Sequence, residues 1–104
     1  MVREKNFRMK KKEKFVFKNA KGEEFEVSFR KPNKAFFGED CDGYCTSNKV
    51  VINPFRTDQT QLNTAIHEFA HAFFWDKKEF EIKKFADALS RFLYNYNKWR
   101  KLKE

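Results

Sequence analysis

Thr64-Ala65-Ile66-His67-Glu68-Phe69-Ala70-His71-Ala72 decides how the rest of this 104-residue chain is read. Its centre has the spacing H-E-x-x-H. An α-helix turns by about 100° per residue, so side chains at i and i+4 stand one above the other on the same face. His67 and His71 would then project together, and two imidazoles so placed can share a Zn²⁺ at roughly 2.0–2.1 Å each. Glu68 can reach a water at such a site without ligating the ion, which suits it to act as a general base. These two histidines are the only ones in the chain.

The neighbours supply the helix that the spacing needs. Leu62, Ile66, Phe69, Ala70 and Phe73 recur at helical intervals. Asp58 followed by Gln61 has the form of a capping box, with Asp58 as N-cap. The pattern predicts a helix from about Gln59 to Phe74. Upstream, Lys49-Val50-Val51-Ile52 is β-branched and reads as the strand before it, ended by Asn53-Pro54. If that strand lies at a sheet edge, it could bind an extended substrate by strand addition.

Further upstream, Phe15-Val16-Phe17 and the strictly alternating Glu24–Arg30 segment read as an antiparallel hairpin. Asn19-Ala20-Lys21-Gly22 forms its turn, with Gly22 free to take a positive φ. Ala35-Phe36-Phe37-Gly38 is a short apolar segment suited to docking on the sheet, and Glu39–Cys45 reads as an acidic loop. Downstream, Trp75–Lys78 is a tight connection. A second helix is predicted from Glu79 to Leu102, uninterrupted by Gly or Pro, with Ile82, Phe85, Ala86, Leu89, Phe92, Leu93, Tyr96 and Trp99 on its apolar face. Phe73, Phe74 and Trp75 read better as packing residues than as a specificity pocket.

Length and pattern therefore predict an α+β fold. A small antiparallel or mixed sheet packs on the H-E-x-x-H helix and a long C-terminal helix, in a single domain over residues 15–104 preceded by a basic arm over residues 1–14. No run of about 18 apolar residues is present, which excludes a membrane-spanning helix. The start lacks the apolar stretch of a signal peptide, so a cytoplasmic location is expected, and Cys41 and Cys45 are then expected as free thiols or metal ligands. The net charge of +8 is unevenly spread. Residues 1–14 hold seven basic and two acidic side chains, residues 76–104 nine and five, and the middle seven and eight. Basic ends of this kind favour weak contact with nucleic acid or another polyanion.

A catalytic zinc has three protein ligands and one open position. With no third histidine, the acids that follow the motif are the candidates: Asp76, Glu79, Glu81 and Asp87. Glu79 and Glu81 border opposite edges of the second helix's apolar face, whereas Asp87 falls on its polar side. The segments Thr64–Ala72 and Glu79-x-x-Ile82-x-x-Phe85-Ala86 together resemble the small gluzincin-type zinc metallopeptidases, a group with SprT-like, ImmA/IrrE-like and short phage-type members. The resemblance covers residues 44–95. In ImmA/IrrE-like members the ligand Glu opens a pattern similar to E-x-x-A-N-x-F-A, which would place the third ligand at Glu79. Ile82 and Lys83 depart from the Ala-Asn pair, and the SprT-like third histidine is missing here.

The implied function is zinc-dependent hydrolysis of a peptide or protein substrate, with a minimal zincin-like fold, metal ligands His67, His71 and Glu79, and Glu68 as the catalytic base. Tyr44, Tyr94, Tyr96 and Arg91 are candidates to stabilise the developing oxyanion. Two other readings compete. Cys41 and Cys45 with His67 and His71 could make a closed, structural Cys₂His₂ site in a nucleic-acid-binding module. Alternatively, an inactive pseudo-peptidase could keep zinc as a staple for a small domain.

Overall fold

Phe25 and Val27 alternate with Glu24, Glu26 and Ser28, and the alternation builds the centre of the fold. The computed structural model describes residues 15–32 and 41–102. The basic arm at residues 1–14 and the apolar segment at 35–38 lie outside the described residues. Strands β1 (Phe15–Lys18) and β2 (Glu24–Phe29) form the predicted antiparallel hairpin, with Phe17 opposite Phe25. Gly22 takes φ 83° in its turn. Asn19 fastens this turn internally and to the rest of the molecule. Its Oδ1 accepts from the Lys21 and Glu23 N–H groups, and its Nδ2 donates to Glu23 Oε1 at 2.8 Å and to the Ala72 carbonyl at 3.1 Å.

The sheet has four strands in the order β1-β2-β4-β3, with β3 at Gly43–Cys45 and β4 at Lys49–Ile52. β2 and β4 run parallel, Val27 beside Val50, and β3 pairs antiparallel with β4, Cys45 beside Val50. Two expectations change here. Lys49–Ile52 is an interior strand, and the edge belongs to β3, which the acidic composition of residues 39–45 had marked as loop. The β-branched triplet Val50-Val51-Ile52 explains the order: all three are essentially fully buried, which only a strand flanked on both sides achieves.

One face of the sheet carries the core. Phe25, Val27, Val50 and Ile52 meet Ala72, with Phe17, Cys45, Ala65 and Phe69 packed around them. The Phe17 and Phe69 rings stack with centroids 4.5 Å apart, joining sheet to helix. Asn53, wholly buried, ends β4 by donating to the Cys41 carbonyl and accepting from the Phe55 N–H. The chain then turns into helix α1 (Asp58–Phe73).

The N-cap of α1 is Thr57, whose hydroxyl accepts from the Thr60 N–H, and not Asp58. Gln61 is drawn away from a capping role because its amide donates to the Pro54 and Arg56 carbonyls. Helix α2 covers Glu79–Arg91. The predicted continuation to Leu102 gives way to a π-helical turn at Phe92–Tyr96, and Lys98 then adopts φ 60°. The physical reason is a tie to the start of α1: the Lys101 N–H donates to Asp58 Oδ2 and its ammonium to Gln61 Oε1. A straight helix would carry Lys101 away from both partners.

α1 and α2 are joined by buried Ile82 and Ala86, and by Asn63 Nδ2, which donates to Asp87 Oδ1 and Ser90 Oγ at 2.9 Å each. Three of the four aromatics on the predicted apolar face of α2 are exposed, Phe85, Phe92 and Tyr96, while Trp99 is half-buried. The packing role expected of Phe73 and Phe74 is also incomplete. With Phe69, Phe85 and Leu89 they line an apolar groove of about 390 Å³ between the helices. Among the described residues no helix is long and apolar enough to cross a membrane.

Candidate metal centre

His67 and His71 occupy one face of α1, as an i, i+4 pair must, and their ring centroids are 4.9 Å apart. The short connection after α1 sets the first residue of α2 opposite them. Glu79 Oε2 is 3.1 Å from His67 Nε2, and Glu79 Oε1 is 2.7 Å from His71 Nε2. The three ligand atoms lie within 4.8 Å of one another, the one group among the described residues able to hold a metal ion.

The donor set suits zinc. Two imidazole nitrogens and one carboxylate oxygen are ligands of the type zinc takes, and three protein ligands on a four-coordinate ion would leave one position for water or substrate. Ligand atoms around a tetrahedral zinc stand roughly 3.3 Å apart, so the observed spacings of 2.7 and 3.1 Å require only a slight opening.

Of the other candidate acids, Glu81 and Asp87 are engaged elsewhere. Glu81 accepts from the Lys78 backbone N–H and closes the start of α2. Asp87 accepts from Asn63 and Lys83, and those hydrogen bonds hold its carboxyl below the usual range. Asp76 is exposed in the connection. Cys41 and Cys45 are free thiols. Cys45 stands on the wall of the cleft, where burial, with Glu68 adding to it, pushes its thiol up to about 11. Neither cysteine joins the ligand group, so the Cys₂His₂ arrangement is not assembled.

Glu68 lies in the same cleft of about 510 Å³ as the histidines and Glu79. Burial drives its carboxyl up to about 7; His71 opposes the shift and Glu79 adds to it. The far wall is the edge strand β3, brought close to α1 because Gly43 has no side chain. A Cβ there would stand 2.6 Å from the Val51 carbonyl oxygen and 2.7 Å from Thr64 Cγ2.

Of the four candidates for oxyanion stabilisation, only Tyr44 borders the cleft. Strand alternation nevertheless turns its ring to the opposite face of the sheet from Gly43 and Cys45. There its hydroxyl accepts from Arg30 at 3.0 Å. Tyr94, Tyr96 and Arg91 follow or end α2 and do not line the cleft. Trp75, expected as packing, lines it instead. From sequence, a pocket-lining role is the less favoured of the two readings of this residue, because a Trp at a helix end has no periodic neighbour to orient it.

Comparison of the chain with protein-family models, with curated proteins and with solved structures finds no match.

Proposed function

We propose that this chain is a minimal zincin-like, gluzincin-type zinc peptidase. One observation carries the reading: Glu79, from a second helix, reaches both histidines of the H-E-x-x-H helix, and Glu68 shares their cleft. His67, His71 and Glu79 would hold the ion. Zinc in such a site supplies a Lewis acid that lowers the pKa of its water toward about 7 and polarises a carbonyl.

The chain's own groups do the rest. Glu68 takes a proton from the attacking water and delivers it to the amine nitrogen as the C–N bond breaks, so that water is added across the peptide bond. Its place in the cleft beside both histidines puts its carboxylate within reach of a water at the site. Strand β3, on the cleft wall and last in the sheet among the described residues, would offer backbone groups to an extended peptide. Free thiols at Cys41 and Cys45 support an intracellular setting.

The test is zinc content together with hydrolysis of an unstructured protein substrate by wild type, Glu68→Gln and Glu79→Gln. Zinc bound by the wild type and by Glu68→Gln, with cleavage only by the wild type, is the expected result. Equal cleavage by Glu68→Gln, or no cleavage by the zinc-loaded wild type, would overturn the peptidase reading.

A further inference from the structure

The cleft does not end at His71. Beyond that imidazole it opens into a second pocket of about 310 Å³, sharing Cys45, Thr46, His71 and Trp75 with the metal-side cleft. Phe25 and Ala72, both buried, line it on the core side, and Lys21, Glu23 and Ser47 complete it. Two charged groups therefore face this space, and they differ in how they are held. Glu23 is turned back onto its own turn, where its carboxylate accepts from Asn19 Nδ2 at 2.8 Å. Lys21 Nζ sits 4.1 Å from the centroid of the Trp75 ring, and among the described residues no carboxylate pairs with it.

Lys21 is exposed, and the Trp75 face beside it gives its ammonium a preferred position. It can take a carboxylate with little further ordering cost. We propose that this pocket selects peptide substrates bearing an acidic side chain, Glu above all, next to the bond under attack. The methylenes of the side chain lie on Ala72 and the Trp75 ring, and its carboxylate accepts from Lys21 and from the Ser47 hydroxyl. The inference rests on the peptidase reading for the reaction. Binding at the pocket can be measured without any turnover.

Trp75 supplies the readout. The chain has two tryptophans, and Trp99→Phe leaves Trp75 as the single reporter. Zinc-loaded Trp99→Phe protein is titrated with short extended peptides, acetylated and amidated, in which Glu, Gln or Lys is scanned through the central positions. Trp75 emission is followed, and hydrolysis is measured in parallel.

The expected result is a shift in Trp75 emission with a Kd for one Glu register about tenfold below that of the matching Gln peptide. Adding Lys21→Glu should reverse the order in favour of Lys. Equal affinity for the three peptides, binding that leaves Trp75 emission unchanged, or no binding would overturn the proposal. Binding only when the peptide's C-terminal carboxylate is left free would also overturn it, since the recognised group would then be the chain end. Selective binding without hydrolysis would support the pocket and remove the peptidase reading.

Discussion

His71 Nε2 and Glu79 Oε1 stand 2.7 Å apart across the junction of two helices. The relationship depends on a connection too short to let α2 begin anywhere else. Removing that carboxylate has a clear expected effect. Glu79→Gln should lower zinc affinity by at least about 100-fold, because a ligand is lost and the remaining pair is less well oriented. Glu81→Gln and Asp87→Asn should change it little. Competition with a chromophoric chelator measures all three.

In the metal-free protein, Glu68 makes stability fall as pH rises. Its folded-state carboxyl sits near 7, above the ordinary 4.5, because burial penalises the charge. The folded state therefore binds more protons than the unfolded state between those values, and stability declines from about pH 4.5 through pH 7. Glu68→Gln should raise the melting temperature in chelator at pH 8 and have almost no effect at pH 4. Thermal melts across that range check both the sign and the window.

Gly43→Ala should be costly although the side chain added is one methyl group. A Cβ 2.6 Å from the Val51 carbonyl forces β3 away from its neighbour or from α1. A loss of about 1–3 kcal/mol is expected, read from urea denaturation.

Asn19→Ala should destabilise the fold by about 1–3 kcal/mol. It deletes four hydrogen bonds at a side chain only 5% exposed, one of them the link from the hairpin turn to Ala72 beside His71. Asn63→Ala tests the other polar tie, between the helices, and its loss should loosen α2 while leaving the hairpin amides protected from hydrogen exchange.

Much of this arrangement was legible in the chain because it rests on local rules. The hairpin follows from the alternation of Phe25, Val27 and Phe29, and α1 from the helical recurrence of its apolar residues. The spacing of His67 and His71 carried their shared face with it. What failed depends on contacts distant in sequence. Gly43–Cys45 is too short and polar to show a period, and becomes a strand only because Val50 and Val51 lie beside it. The end of α2 is set by the ties of Lys101 to Asp58 and Gln61, 43 and 40 residues earlier in the chain. Thr57 outcompetes Asp58 as N-cap because Gln61 is occupied by the carbonyls of the preceding turn. The opposite directions of Tyr44 and Cys45 required the strand to be known first.

His67, His71 and Glu79 fall within a span of thirteen residues, whereas the parallel pairing of β2 with β4 joins Glu26 to Lys49. An ion that gathered the three ligands would close only short loops, at low entropic cost. Its effect on folding kinetics follows: a helical hairpin with a high share of local contacts assembles quickly, and long-range strand pairing is the slower step. An ion held by these three residues would then be captured early in folding, before the sheet has found its register.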